Sequence, residues 1–122
     1  MKRYLLIPLL LLALLLAACG NATPMGVNQV HMATHVFIVP SITIHQGQNI
    51  TLVNDGAVSH IVLNGSWVNG VETPAVEAGA PVVNTGQIPS GGQVLIGPFN
   101  NTGTFHLYCS LHVQMNLTVV VV

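Results

Sequence analysis

The residues best suited to chemistry are one cysteine, two histidines and one methionine. Cys109, His112 and Met115 stand at positions i, i+3 and i+6 of one short stretch, and His60 lies much earlier, just after the turn-forming triplet Asn54-Asp55-Gly56. Thiolate and thioether sulfurs are soft ligands that suit Cu(I), and imidazole suits both Cu(I) and Cu(II). A cysteine and two histidines with a weakly bound methionine form the ligand set of a blue-copper electron-transfer site. The sequence therefore predicts one copper ion held by these four side chains.

The N-terminal segment has the pattern of a bacterial lipoprotein signal. A short basic start with Lys2 and Arg3 is followed by an apolar run and then by small residues directly before Cys19. The apolar run is shorter than the roughly 20 residues of a membrane-spanning helix, and it fits a cleaved secretory signal. We therefore predict a signal peptide over residues 1–18, lipid attachment at Cys19 and a flexible tether over residues 19–30. An ordinary signal peptide with a chance cysteine and a permanent helical anchor are the alternatives.

Export and charge together limit the partners. The signal predicts a protein anchored by its lipid to the outer face of the cytoplasmic membrane, on the periplasmic side of the cell envelope. Cleavage would remove both basic residues and leave Asp55, Glu72 and Glu77 without any lysine or arginine. Because a surface without cations cannot neutralise phosphates, nucleic acid is excluded as a partner. The expected partners are the membrane, through the lipid, and other redox proteins, and the protein itself is expected to be a monomer.

Cysteine usage supports a metal site. The chain has two cysteines, and lipid attachment at Cys19 leaves Cys109 without an intramolecular partner. An unpaired thiol in an exported protein needs a role, and metal ligation provides one. Two alternatives stay open. One is a disulfide between two chains. The other is zinc, which cysteine and two histidines bind well, although methionine is a poor fourth ligand for it.

The elements that must position these ligands are β-strands. Short runs of β-branched residues alternate with turn signals, and no long window has the period of an amphipathic helix. About seven or eight strands at this spacing predict an all-β Greek-key sandwich or barrel over residues 31–122. Residues 65–92, rich in Gly, Pro and Asn, form a long excursion that is functional or contains short elements of its own. The predicted strands cover residues 36–39, 42–45, 50–53, 60–63, 93–96, 104–109 and 117–122.

Strand alternation tests the cysteine assignment. In the strand over residues 104–109, the side chains of Phe105, Leu107 and Cys109 share one face. Because two of them are apolar, that face is predicted to be the core, with the cysteine at its end. The thiolate would then lie beneath a hydrophobic shell, which tunes a redox potential. The side chain of Tyr108 points to the opposite face.

The ligand stretch also resembles a known family. The motif Cys-x2-His-x2-Met follows Gly103-Thr104-Phe105-His106-Leu107-Tyr108, and a strand-start histidine lies far upstream. This pattern, over roughly residues 35–122, resembles the small type 1 copper cupredoxins of the plastocyanin, amicyanin and auracyanin group, and its short loop is most similar to amicyanin. The resemblance implies a cupredoxin fold and one type 1 copper ion. The implied ligands are His60, Cys109, His112 and, in the axial position, Met115.

Two further implications of the resemblance concern neighbours of the ligands. In the family, the residue before the ligand cysteine is a surface aromatic that can pass electrons, and Tyr108 fills that place; an ordinary cross-strand aromatic is the alternative. The family often carries an asparagine after the first ligand histidine, but Ile61 stands here. We expect a hydroxyl of Ser59 or Ser110, or backbone groups alone, to tie the ligand loop instead.

The predicted function is one-electron transfer rather than catalysis. Copper oxidases need additional copper centres with His-x-His pairs, and the sequence contains none. The apolar residues Leu111 and Val113 flank His112 and would form a small patch for transient docking of redox proteins. The alternative function is a copper-binding or delivery lipoprotein that uses the same residues without electron transfer.

Overall fold

The described part of the protein is built from β-strands. The structure, a computed structural model, describes residues 28–122, and within that range it contains eight strands and no helix. Accordingly, nothing in residues 28–122 is a helix long and apolar enough to cross a membrane. The predicted signal peptide, Cys19 and most of the predicted tether lie outside the described residues. The strands are β1 (Gln29–Met32), β2 (Ser41–Ile44), β3 (Gln48–Asn54), β4 (Val62–Val68), β5 (Val71–Pro74), β6 (Gln93–Phe99), β7 (Gly103–Cys109) and β8 (Asn116–Val121).

The strands form two sheets that enclose one core. The smaller sheet has the order β1-β3-β6 and the larger one the order β2-β8-β7-β4-β5. The pairs β1/β3 and β2/β8 are parallel, and the remaining neighbours are antiparallel. Buried and less buried residues alternate along β8 and most of β3, because successive side chains of a strand point to opposite faces. The inward faces of both sheets therefore supply the core, in which the rings of Phe99 and Phe105 lie 6.3 Å apart. The predicted all-β class and strand number are confirmed.

The start of the domain differs from the prediction. Residues 36–39 were predicted as the first strand, but Phe37 makes only an isolated bridge to Met32 and is the one buried residue among the four. The first strand is instead β1, which begins at Gln29, inside the predicted tether, and buries Val30 completely. A short apolar run can be a strand or a partly exposed connection, and its composition does not distinguish them.

The long excursion contains a hairpin. β4 continues to Val68 and turns through Asn69 and Gly70 into β5. Both turn residues have positive φ, 50° and 77°, which is the conformation of a two-residue type I′ hairpin loop and the reason that Asn-Gly is favoured there. At the end of the hairpin farthest from the turn, Gly65 pairs with Pro74. Glycine is required there, because a Cβ at Gly65 would lie 2.4 Å from the Thr73 carbonyl oxygen. This hairpin forms the edge of the large sheet, and its Trp67 ring contacts Tyr108 on β7.

Candidate metal centre

The candidate ligands meet at one end of the two sheets. Cys109 ends β7, residues 110–115 form the connecting loop (the ligand loop), and β8 begins at Asn116. On the neighbouring strand, Val62 pairs with Cys109, and the Ser110 N–H donates to the carbonyl of Ile61 at 2.9 Å. This register brings His60, two residues before β4, next to the cysteine. The tie at Ile61 uses backbone groups alone, which is one of the arrangements expected where the family carries an asparagine.

Three candidate donor atoms lie close together at this end of the domain. The Cys109 Sγ lies 3.5 Å from His60 Nδ1 and 3.5 Å from His112 Nδ1. All three ligand atoms lie within 4.8 Å of one another, and they form the one group of three or more metal-type ligands among residues 28–122. The two imidazole rings meet edge to face, with centroids 4.9 Å apart. The sequence prediction of these three residues as one site agrees with their placement.

His60 is held through both its backbone and its ring. Its ring is fully buried, and its backbone forms an antiparallel bridge with that of Ile88. Since a carbonyl can only accept, the His60 Nε2–H donates to the Ala33 carbonyl at 2.9 Å, and this leaves the Nδ1 lone pair facing the thiol. Burial lowers the pKa of His60, and the nearby His112 and His35 lower it further, against the opposing effect of the Ala33 hydrogen bond. The residue is therefore held as the neutral imidazole that a metal requires.

His112 is held more loosely. It lies on the ligand loop, is half-buried, and contacts the ring of the exposed His35 edge to face at 5.0 Å. Burial lowers the pKa of His112, and the neighbouring His35 lowers it further. Its Nδ1 faces the thiol, so the rest of the ring lies toward the surface. The contact with His35 was not predicted, and nothing in the sequence spacing signals it.

The loop returns Met115 to the cysteine. The Cys109 N–H donates to the Met115 carbonyl at 2.9 Å, and the Met115 N–H donates to the His112 carbonyl at 3.2 Å. The preceding Gln114 has a positive φ of 65°, which closes this tight turn. Met115 is 2% exposed, so the structure brings the fourth predicted ligand into the same buried end of the domain.

The donor set fits a soft or borderline transition metal. One buried thiol and two neutral imidazole nitrogens face a common point, and no carboxylate belongs to the group. Hard cations such as Mg²⁺ and Ca²⁺ prefer carboxylate, carbonyl and water oxygens, whereas thiolate with imidazole suits copper or zinc. Cys109 is free of any disulfide, so its sulfur is available as a ligand.

The structure corrects the placement of Tyr108. The residue was predicted as a surface aromatic, but it is 1% exposed. The β4–β5 hairpin covers it, and the ring of Trp67 stands edge to face against it at 6.0 Å. Burial raises the pKa of Tyr108, and the Glu72 carboxylate on β5 raises it further. Tyr108 is thus buried on the outer face of β7, whereas Thr104 and His106 on the same face are exposed. Alternation along one strand cannot reveal such local cover. The sequence did contain one signal for this cover, the Asn69-Gly70 turn.

The other histidines do not join the site as ligands. His31 Nδ1 lies 2.5 Å from the Asp55 carboxylate, and His106 Nδ1 lies 3.0 Å from that of Glu77. His45 is exposed near the start of β3, at the opposite end of the domain from Cys109. The segment before Phe37 also contributes to the site, because it supplies the Ala33 carbonyl and the His35 ring.

Comparison with known proteins agrees with this geometry. The family of copper-binding proteins that contains plastocyanin and azurin matches residues 24–122. Among solved structures, a purple cupredoxin from Nitrosopumilus maritimus superimposes with a TM-score of 0.63 at 20% identity, over 79% of this chain and 100% of that one. The reduced Cu(I) form of an amicyanin variant at pH 4 superimposes with a TM-score of 0.62 at 23% identity, over 80% of this chain and 83% of that one. No curated protein matches the chain.

The family match and the geometry lead to the same conclusion. The match spans the whole described domain, the two similar structures share its fold, and the three converging donors are those of a copper site. The expected cupredoxin fold and the expected cofactor, copper, are confirmed. This chain belongs to the plastocyanin/azurin family of copper-binding proteins.

Proposed function

We propose that this protein is a lipid-anchored blue copper protein that carries single electrons between redox partners outside the cytoplasmic membrane. The observation that carries the proposal is the convergence of His60 Nδ1 and His112 Nδ1 on the Cys109 sulfur, each at 3.5 Å. A site whose ligands are held in one arrangement by the fold does not have to rearrange when the charge of the bound ion changes.

The residues of the chain keep this arrangement fixed. Copper, when bound, supplies the one-electron chemistry by alternating between Cu(I) and Cu(II). The protein contributes a fully buried thiol, a fully buried His60 ring held by the Ala33 carbonyl, and a buried Met115 at the end of the ligand loop. Met115 would supply the weakly bound fourth ligand that the sequence motif predicted. The apolar surroundings exclude water and thereby help set the potential.

Electrons would enter and leave at the half-buried histidine. Leu111 is 48% exposed and Val113 is 64% exposed, one on each side of His112. Together these three residues form a small apolar surface around the one ligand that approaches solvent. Small interfaces are typical of redox proteins that must dissociate quickly, so this surface supports transient docking of redox proteins to a monomer.

The membrane anchor is proposed from the sequence alone. The small residues before Cys19 support cleavage after residue 18 and attachment of lipid to the cysteine. We expect the mature protein to carry label from a radioactive fatty acid and to sediment with membranes. Cys19→Ala should remove both properties. A Cys19→Ala protein that still carries label and sediments with membranes would contradict the lipid anchor.

The decisive experiment for the electron-transfer role is an absorption spectrum. Addition of Cu(II) to the chain lacking residues 1–18 should give strong visible absorption that disappears on reduction and returns on oxidation. Cys109→Ser should abolish this absorption while the far-ultraviolet circular dichroism keeps its β-sheet signal. A colourless protein that holds only Cu(I) would indicate copper delivery instead, and persistent colour in Cys109→Ser would refute the site assignment.

A further inference from the structure

The β4–β5 hairpin contacts the ligand loop at both of its ends. At the first end, the Trp67 indole Nε1–H donates to the Cys109 carbonyl at 2.8 Å. At the far end, the Trp67 N–H donates to Asn116 Oδ1 at 2.7 Å, and Asn116 Nδ2 donates to the Trp67 carbonyl at 3.1 Å. The hairpin turn adds a third contact, because the Gly70 N–H donates to Gln114 Oε1 at 3.2 Å. One residue, Trp67, thus joins Cys109 and Asn116, the two residues that flank the loop.

The side-chain amide of Asn116 takes the place of a backbone peptide group in pairing with Trp67. β4 pairs with β7 from Val62 to Asn64, and beyond that point it pairs only with β5. Trp67 would therefore have no backbone partner on this side, and the amide of Asn116 supplies both an acceptor and a donor in the way that a peptide group does. Because both amide groups are used, the orientation of Asn116 is set by Trp67.

We propose that Trp67 is a positioning residue for the copper thiolate, and that the β4–β5 hairpin holds the ligand loop in its metal-binding conformation. Three separate hydrogen bonds hold the backbone around the cysteine. The Cys109 N–H donates to the Met115 carbonyl, the Ser110 N–H donates to the Ile61 carbonyl, and the Cys109 carbonyl accepts from the Trp67 indole N–H. Loss of the indole N–H would leave the carbonyl of a fully buried ligand without that partner.

The same contact influences the electrons at the sulfur. A donor on the Cys109 carbonyl draws electron density away from the residue that carries the thiolate, and this favours the state with the additional negative charge. The reduced form is therefore stabilised, and removal of the donor should lower the reduction potential. This second consequence rests on the proposed electron-transfer function, whereas the holding of the loop does not.

The first test uses the metal-free protein. In the mature chain carrying Cys19→Ser, Cys109 is the single thiol, and its rate of reaction with an aromatic disulfide reagent measures how often the loop opens. Trp67→Phe keeps an aromatic ring against Tyr108 but removes the N–H. We expect the thiol of this variant to react about tenfold faster, the factor that corresponds to one lost hydrogen bond. Amide hydrogen exchange should accelerate in residues 109–116 and remain unchanged in β3.

A matched control and a second variant complete the first test. Val71→Ala alters an exposed residue of the same hairpin that makes none of these contacts, and it should leave the thiol rate unchanged. Asn116→Asp keeps the acceptor and removes the donor to Trp67, so it should accelerate the reaction less than Trp67→Phe. The effects of the two changes should not simply add when they are combined, since the Asn116 amide and the Trp67 indole hold the same hairpin residue against the loop.

Unchanged thiol rates and unchanged exchange in a folded Trp67→Phe protein would overturn the proposal. If that variant fails to fold, Asn116→Asp decides in the same way, because an unaltered loop would then show that the hairpin does not hold it.

The second test uses the copper-loaded protein. Trp67→Phe should lower the reduction potential by a shift of up to about 59 mV, which is a tenfold change in a one-electron equilibrium, and Val71→Ala should not change it. An unchanged potential in Trp67→Phe would overturn the electronic part of the proposal. If the chain takes up no redox-active copper, the proposed function fails, while the thiol and exchange measurements still decide whether the hairpin holds the loop.

Discussion

The two ligand histidines are equally close to the cysteine but are held in different ways. His60 and His112 each place Nδ1 3.5 Å from the Cys109 sulfur. His60 is fully buried, bridged to Ile88 through its backbone and hydrogen-bonded through its second nitrogen to the Ala33 carbonyl. His112 lies on the ligand loop, half-buried, with a ring contact to the exposed His35.

This difference suggests different roles for the two histidines. A buried ligand with both ring nitrogens engaged keeps the metal geometry constant, because any movement would break contacts on several elements. A half-buried ligand near the surface would bring a bound metal close to the docking partner proposed above. His60 is therefore the enclosed ligand of the site, and His112 is the ligand that lies nearer to solvent.

The largest expected effect separates the two histidines by chemical rescue. His60→Gly and His112→Gly should each abolish the strong visible absorption of the Cu(II) protein, since each removes a ligand. Added imidazole should restore the absorption of His112→Gly, because the space left by a half-buried ring opens to solvent. It should not restore that of His60→Gly, whose space is closed. Absorption spectra recorded during an imidazole titration measure both outcomes.

Rescue of both variants, or of neither, would show that the two positions do not differ in access. Circular dichroism of each variant serves as the control for folding. Cys109→Ser provides the colourless reference, because imidazole cannot replace a thiolate.

A second prediction disturbs the support of His60 alone. Gly56 is buried, and a Cβ added there would lie 2.7 Å from the Ala33 carbonyl carbon and 2.9 Å from its oxygen. That oxygen accepts the His60 Nε2–H, so Gly56→Ala should displace the support of the fixed histidine. We expect a loss of about 1–3 kcal/mol in the free energy of unfolding, as for other overpacked sites. Urea denaturation of the metal-free protein measures it.

The matched control for this prediction is Gly47→Ala. A Cβ at Gly47 meets nothing within 4 Å, although φ there is +87°, so this variant tests backbone strain without contact at the site. In nuclear magnetic resonance spectra, Gly56→Ala should shift the His60 ring signals more than those of His112, and Gly47→Ala should shift neither. Equal shifts of both rings would contradict separate supports.

The pH dependence of the metal-free protein should also differ between the histidines. Burial lowers the pKa of both rings below the ordinary value of 6.5, so the unfolded chain binds more protons than the folded one as the pH falls below that value. Stability should therefore be full above pH 6.5 and decrease as the pH falls toward the folded-state pKa values. His60→Gln should flatten this dependence more than His112→Gln, because the His60 ring is fully buried. Urea denaturation at several pH values measures both slopes, and a larger flattening by His112→Gln would be the opposite result.

The sequence predicted the loop side of the site better than the His60 side. Cys109, His112 and Met115 are adjacent in the chain, and their spacing carries chemical information that local geometry preserves. His60 was found because the same chemistry needs a second imidazole and one stood at the start of a strand. The Ala33 carbonyl that fixes His60 could not be predicted. Every residue has a backbone carbonyl, so nothing in the sequence distinguishes the one at Ala33.

The fold shows the same limit. Strand alternation correctly placed Phe105, Leu107 and Cys109 in the core, since that pattern depends only on the strand itself. It also placed Tyr108 correctly on the opposite face. The surface position that the family resemblance implied for Tyr108 was wrong, because its burial depends on a hairpin that comes much earlier in the chain. The Asn69-Gly70 turn was a usable signal for that hairpin, whereas the apolar residues 36–39 resembled a strand and gave no sign that β1 would begin upstream.

The smallest expected effect concerns the surface side of His112. His35 is exposed and lowers the pKa of His112 through its charge, and it lowers that of His60 as the last of several causes. In the metal-free protein, His35→Ala should therefore raise the pKa of His112 toward 6.5 and raise that of His60 less. The free energy of unfolding should change by no more than about 0.5 kcal/mol, as for other exposed residues.

His45→Ala, at an exposed position near the opposite end of the domain, should alter neither pKa. Titration of the ring protons by nuclear magnetic resonance distinguishes the variants. A His112 pKa that is unmoved by His35→Ala would mean that the more exposed ligand does not respond to its surface neighbour, and the contrast with the enclosed His60 would then rest on burial alone.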